Sequence, residues 1–421
     1  MTVLTAKAPR DAKGANNWLN QHTFSPVAIL ASLGLLAVPF LGSGSSAAAA
    51  EPPGKEPEAK APAKDDEQRL LAEKEKKLGP LFPGRDPAFL LLPRQEERSR
   101  MAQELLTPQV RQMTERALAY LARAQDTDGG WSDAQFSSNT GVTALACLAF
   151  MAEGSQPRIG KHGKAIDLGL EFILKNVQKS SGIIAGGKGC NPNGPMYEHV
   201  LSTMALLLAY GDMPWKPEVR KVVSDAMEAI KKSQRQDGGW RYHLTNVGDS
   251  DMSVTANVLW VQRAAKKCGF WVPQEAIDKG TNYVRNCALP DGTFRYRYWG
   301  LHSEPNLGGA GIIALCNRGR IDDPLIPPAR DRIDYDTHRY TIKDLTERRY
   351  YVYGTFYGSV AMYSCGDKYW IPWFRKTSQV LAQMQRKDGE LWDQGGNTVY
   401  PTAMAAILLQ APLGYLPVYE R

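Results

Sequence analysis

The sequence predicts an all-α fold, an (α/α)6 toroid of alternating outer and inner helices spanning about 105–421. Three observations carry this prediction. First, a turn signature recurs: Gln125-Asp126-Thr127-Asp128-Gly129-Gly130-Trp131, then Gln234-Arg235-Gln236-Asp237-Gly238-Gly239-Trp240. Weaker copies stand at Pro290-Asp291-Gly292-Thr293-Phe294, at Gln385-Arg386-Lys387-Asp388-Gly389-Glu390-Leu391-Trp392 and, degenerate, at Ser181-Gly182-Ile183. From Gly129 through Gly182, Gly238 and Gly292 to Gly389 the spacings are 53, 56, 54 and 97. A fixed period marks a repeat architecture, and the doubled last interval marks one copy eroded near residue 340. Second, helices of two kinds alternate along the chain. Third, no strand-length run of β-branched residues with period two stands out, so β content is expected to be low.

The first outer helix opens at Thr107-Pro108, a capping residue followed by proline at the first helical position. Val110, Met113, Ala117, Leu121 and Ala124 then follow 3-4-4-3 spacing, the pattern of an amphipathic surface helix. Helices of the other kind are apolar almost all round: 143–150, 203–208, 253–260, 311–315, 357–362 and 402–408. Gly154, Gly211, Gly269, Gly319 and Gly366 stop the first five, at intervals of 57, 58, 50 and 47. A helix apolar on every side must be covered on every side, so these six form an inner ring. Outer partners are expected near 108–124, 163–179, 217–234, 274–287 and 371–386. The sixth, between Arg320 and Tyr350, is weak because Pro324, Pro327 and Pro328 interrupt it. In the signature, Asp and Gly suit a tight turn, Gln suits a bond to a neighbouring helix end, and the aromatic residue suits a wedge between repeats. Asp128, Trp131, Asp237, Trp240 and Trp392 therefore read as scaffold.

Composition is that of a globular protein, 43% hydrophobic and 23% charged over 421 residues. The net charge of +7 comes partly from the first residues, and no Lys/Arg cluster is interleaved with aromatics, which argues against a nucleic-acid partner. Residues 1–50 pass from a basic stretch to an apolar run, 24–41, and then to small residues, the order of a secretory signal peptide. The apolar run is also near the minimum for a membrane anchor, so export and membrane association through 24–41 are both expected. Residues 51–104 form a Pro/Ala-rich charged linker; 51–100 hold eleven acidic and eleven basic residues, with a short helix expected at Asp65–Lys77. None of the six cysteines shows Cys-x-x-Cys spacing. Cys147, Cys268, Cys316 and Cys365 lie on or beside apolar helices, where a thiol acts as a small hydrophobe.

Copies of Gln-x-x-Asp-Gly-Gly-Trp between helix pairs resemble the repeats of squalene–hopene cyclases, oxidosqualene cyclases and protein prenyltransferase β subunits. The resemblance covers about 105–421 and implies the toroid. Squalene cyclases carry an Asp-x-Asp-Asp whose protonated carboxyl starts cyclisation. The matching run here is Asp249-Ser250-Asp251-Met252, with methionine in the last place. Prenyltransferases bind zinc through Asp, Cys and His. Here Asp-x-Cys is absent before an inner helix, and Cys365-Gly366-Asp367 falls at a helix exit. His199 resembles the histidine that contacts diphosphate in those enzymes. No Asp-Asp-x-x-Asp magnesium motif appears, so no metal or cofactor is implied. Complement-type thioester domains share the toroid, but Gly189-Cys190-Asn191-Pro192-Asn193 lacks their Glu-Gln.

The N-terminal ends of the inner helices gather at one mouth, where helix dipoles add positive potential. The segments reaching it are polar and aromatic. Asp251, with Asp249 and His199, is the candidate catalytic group; Asp251 equally suits a helix cap. Tyr197, Trp299, Tyr353, Phe356, Tyr357 and Tyr400 are the candidate ligand-binding aromatics, able to face a carbocation or simply to pack the rim. The charged run Asp331–Asp336 is expected to be a lid or a solvated loop. Two functions follow. One is an exported module that binds an apolar molecule (isoprenoid or lipid) or a protein at the mouth. The other is a squalene-type terpene cyclase using Asp251 as general acid. Whether the chain is an enzyme stays open at this level.

Overall fold

A computed structural model describes residues 100–134, 137–186, 194–316, 321–393, 395–416 and 418–419. The leader, nearly all of the linker, Gly319 and Cys190 lie outside the described residues. Thirteen helices follow the opening turn at 100–105. They are α1 (Pro108–Arg123), α2 (Thr140–Ala152), α3 (Gly163–Lys175), α4 (Met196–Ala209), α5 (Glu218–Lys232), α6 (Met252–Lys267) and α7 (Gln274–Cys287). Then come α8 (Gly308–Leu315), α9 (Ile326–Arg339), α10 (Ile342–Thr346), α11 (Tyr351–Ser364), α12 (Asp367–Met384) and α13 (Val399–Leu409). Among the described residues, extended pairing is confined to isolated bridges.

The inner helices α2, α4, α6, α8, α11 and α13 pack each against the next, and α13 returns to α2, closing a ring of six. Every residue of α2, α8 and α13 is buried, as their all-round apolar sequences require. Helices α1, α3, α5, α7, α9 and α12 form the outer layer. Thr107 caps α1 by accepting the Val110 N–H at 3.3 Å, and Val110, Met113, Ala117 and Leu121 face inward. The sixth outer helix is better formed than expected. Pro327 and Pro328 stand in the first turn of α9, where the missing N–H costs nothing. Asp331–Asp336, expected as a lid or loop, belongs to that helix; Asp336 is buried and pairs with Arg332 at 3.1 Å. Gly211 is also corrected: it lies in a short 3-10 turn, whereas Gly154, Gly269 and Gly366 end their segments with positive φ.

The signature performs its expected work in detail. Gln125 Nε2 donates to Gly129 O (2.9 Å) and to Ala165 O on the next outer helix (3.0 Å). Gln234 does the same with Gly238 and Ala276, and Gln385 with Gly389 and Met113. This last copy joins the end of the chain to its first outer helix. Gly129 and Gly238 have φ near +90°, and a Cβ there would sit 2.7 and 2.6 Å from the Leu168 and Lys279 carbonyl oxygens, so only glycine fits. Trp131 and Trp240 are fully buried, and their indole N–H groups donate to Leu121 O (2.7 Å) and Ile230 O (2.8 Å). The last copy departs from expectation. Leu391 fills the wedge position and is fully buried, while Trp392 lies outside with Arg386 over its ring. Ile184 and Phe294 are the wedges of the remaining copies.

One further regularity was not read from the sequence. The backbone N–H of four of the five wedges donates to the fourth residue of the following inner helix: Trp131 to Thr143 (2.9 Å), Ile184 to His199 (2.9 Å), Trp240 to Thr255 (2.9 Å) and Leu391 to Thr402 (2.7 Å). At Phe294 that residue is Gly311, whose Cβ would meet the Phe294 ring at 2.4 Å. Between α9 and α11 no signature exists. The chain crosses there through α10, closed by a capping box between Thr341 and Asp344. The five described cysteines are free thiols. Among the described residues no helix is long and apolar enough to cross a membrane.

Candidate active site at the inner-helix mouth

Asp251 begins α6 in an extended conformation and is fully buried. Its two carboxylate oxygens have different surroundings. Its Oδ1 accepts from the Val254 N–H (2.9 Å) and the Ser253 hydroxyl (2.7 Å), a helix cap. Its Oδ2 is buried with no hydrogen-bond partner among the described residues. Burial pushes its pKa up to about 6, opposed by those two bonds and by Arg241 and Arg297.

Asp249 has its own partners, apart from Asp251. It is held by two guanidinium groups, Arg241 at 2.6 Å and Arg297 at 2.9 Å, and Arg235 donates to its carbonyl. Its role is to tie the loop before α6 to the loop before α8. The hydroxyls of Tyr242 and Tyr296, one from each loop, also meet. These arginines and tyrosines were missed from sequence because neither belongs to a motif; their only signal is position just after a wedge residue.

His199 does not join this group either. Its Nδ1 accepts from the Ile184 N–H, and its Nε2 donates to Ala226 O on α5 at 3.1 Å. Both ring nitrogens are used on backbone, and burial lowers its pKa to about 4, so it is neutral. It occupies the same scaffold position as Thr143, Thr255 and Thr402.

Three of the six predicted aromatics come together. The Tyr197 and Tyr353 hydroxyls lie 3.2 Å apart, Tyr353 meets Tyr357 edge-on with centroids 4.9 Å apart, and the Tyr357 hydroxyl donates to Asn257 Oδ1 at 2.7 Å. Tyr197 also stacks on Tyr242 at 6.3 Å. Burial first, then Tyr357, Tyr242 and Asp251, hold the Tyr197 phenol well above its ordinary pKa, against a hydrogen bond with Ser253. A chain of neutral hydroxyls thus runs inward from Asp251. Phe356 packs behind it, against Trp260 and Tyr357.

The other two aromatics lie elsewhere. Tyr400 donates to Asp393 beside Asp133, whose carboxylate accepts the Thr398 and Tyr400 N–H groups at 2.7 Å each and caps α13. Burial pushes Asp133 up to about 6, against those backbone bonds. Trp299 stands outside, 55% exposed, under Arg297. Beside it Leu301 is 90% exposed, and Val247 on the neighbouring loop is 74% exposed. The loops before α6 and α8 thus carry three exposed apolar side chains, while the tyrosines beside Asp251 are buried.

No protein-family model matches the sequence, and no curated protein shows significant similarity to it. Solved structures do resemble it in fold. Cellobiose 2-epimerase from Bacillus thermoamylovorans B4167 is 11% identical, with a TM-score of 0.54 over 72% of this chain and 98% of that one. The type II terpene cyclase MstE from Scytonema, without ligand, is 15% identical, with a TM-score of 0.50 over 74% of this chain and 100% of that one. A variant of MstE in complex with its substrate, geranylgeranyl dihydroxybenzoate, gives the same identity and TM-score over 73% and 98%. At such identities the likeness is one of architecture: the chain shares the α/α-toroid fold of these proteins.

Proposed function

We propose that this toroid is a binding module that holds an apolar molecule of isoprenoid or lipid type at its inner-helix mouth. One observation supports this reading above others. Tyr197, Tyr242, Tyr353 and Tyr357 are all buried, while Val247, Trp299 and Leu301, on the two loops that Asp249 ties together, expose large apolar surfaces. Exposed apolar clusters rimmed by charge mark binding surfaces on soluble proteins. Arg241 and Arg297 supply that rim and, through Asp249, fix the two loops that carry the cluster.

Geranylgeraniol is a suitable probe. Titrated into the protein, it is expected to quench tryptophan fluorescence saturably, and the double variant Trp299→Ala, Leu301→Ser is expected to weaken binding, followed by calorimetry, at least tenfold. Equal affinity in the double variant would remove the mouth from the account. Cyclisation remains a second reading because Asp251 combines a raised pKa, complete burial and an oxygen without a partner. Those are properties of a carboxylic acid poised to give up a proton. Product formation from a geranylgeranyl arene by the unaltered protein, lost in Asp251→Asn, would favour that reading.

A further inference from the structure

The repeat leaves one of its own positions open. At the seams with a signature, a side chain is clamped between the inner helix and the next outer helix. Trp131 sits between Thr143 and Gly169, where a Cβ on Gly169 would come 3.0 Å from the indole. Trp240 sits between Thr255 and Gly280, where the same Cβ would come 2.8 Å from it. The seam between α9 and α11 has no signature, and a cavity opens there. Its walls include Asn306, Gly354 and Thr355 on the inner side, Trp373 and Thr377 on the next outer helix, and Leu345 of α10. Thr355, one place beyond the fourth residue of α11, and Thr377 flank the space.

The hydrogen bonding is open in the same sense. Thr143 Oγ1 donates back to Asn139 O at 2.8 Å and accepts the Trp131 N–H. Thr355 Oγ1 makes the same backward bond, to Tyr351 O at 2.8 Å, and no N–H among the described residues donates to it. Asn306, Gly354 and Thr355 are partly exposed, so the cavity reaches solvent. Its charged wall is already compensated, because Asp336 pairs with Arg332 at 3.1 Å and Arg348 at 3.5 Å. An uncharged guest fits such a wall better than an ion. Trp373, stacked on Trp370 at 5.5 Å, offers an aromatic floor.

We propose that this vacant seam is a docking pocket for an aromatic side chain of a partner polypeptide, carried on a glycine-containing turn whose backbone N–H reaches Thr355. The partner is identified by the chemistry that the filled seams already accept, a buried wedge with its own N–H on a threonine. The pocket's lining includes none of Val247, Trp299, Leu301, Tyr197, Tyr242, Tyr353 or Tyr357, so its fate does not depend on the reading given for them.

The test uses the full chain and the blocked peptide acetyl-Gln-Lys-Asp-Gly-Gly-Trp-Ser-amide, followed by calorimetry. Saturable one-to-one binding is expected, weakened at least tenfold when the peptide's tryptophan is alanine. Thr377→Phe, which fills the space from within, is expected to abolish binding and raise the melting temperature. Thr355→Val keeps the shape, removes the acceptor, and is expected to weaken binding severalfold. Absence of binding, equal binding of the alanine peptide, or binding unchanged in both variants would overturn the proposal. Gel filtration adds one more outcome: self-association lost in Thr377→Phe would place a second copy in the pocket and overturn the assignment to a different partner.

Discussion

At the scale of single residues, two buried groups pull stability in opposite directions with pH. Asp251 is raised from an ordinary value near 3.8 to about 6. The folded state therefore binds its proton more tightly than the unfolded state. That contribution is complete below pH 4 and is lost as pH rises through 6, worth about 3 kcal/mol at most. His199 is lowered from 6.5 to about 4, so its contribution is complete above pH 6.5 and is lost as pH falls through 4. Urea unfolding between pH 4 and pH 7 is expected to show Asp251→Asn gaining stability relative to the unaltered protein as pH rises. His199→Gln is expected to gain as pH falls. Parallel curves for either variant would contradict the assignment. Sequence could locate Asp251, because an acidic residue before an apolar helix has few roles. It misplaced His199, because a histidine standing where other repeats have threonine is visible only once the repeats are superposed in space.

At the scale of elements, the turn signature and its two neighbouring helices behave as one unit. Where the signature is complete, at Gln125, Gln234 and Gln385, glutamine and glycine reach the next outer helix, so those three seams are made of the same bonds. Spacing revealed five copies of this unit, and the place of the eroded one near residue 340 is where the chain crosses without a signature. The wedge of the last copy was misread because Glu390 and Leu391 separate Gly389 from Trp392, which moves tryptophan one place beyond the buried position. Two substitutions separate these cases. Trp240→Ala is expected to cost about 3–5 kcal/mol, since it empties a fully buried site and removes the indole's hydrogen bond to the Ile230 carbonyl. Trp392→Ala is expected to cost less than about 1 kcal/mol because the ring is largely at the surface. Similar losses in chemical denaturation would show that the wedge had been assigned to the wrong residue. The prolines of α9 teach a related lesson: proline breaks a helix interior and begins a helix well, and composition does not say which position it holds.

At the scale of the whole molecule, closure is the organising fact. Helix α13 packs on α2, Gln385 bonds to Met113, and Gln410 Nε2 donates to Ala149 O at 3.0 Å, so the last repeat is sealed to the first. Apolar periodicity made the two layers and the ring legible in advance. What lay inside the ring was not legible, because it depends on which side chains of six separate helix starts converge. Tyr197, Tyr353 and Tyr357 converge, Tyr400 and Trp299 do not, and Tyr242 and Tyr296 enter from the loops just after the wedges Trp240 and Phe294. Buried tyrosines beside loops with exposed apolar side chains are the basis for reading the protein as a binding module. The most direct measurement is native mass spectrometry of the full chain incubated with geranylgeraniol, beside the Trp299→Ala, Leu301→Ser variant. The account predicts one intact ligand retained by the unaltered protein and little retained by the variant. Conversion of a polyprene substrate to a cyclic product, or equal retention by both proteins, would contradict it.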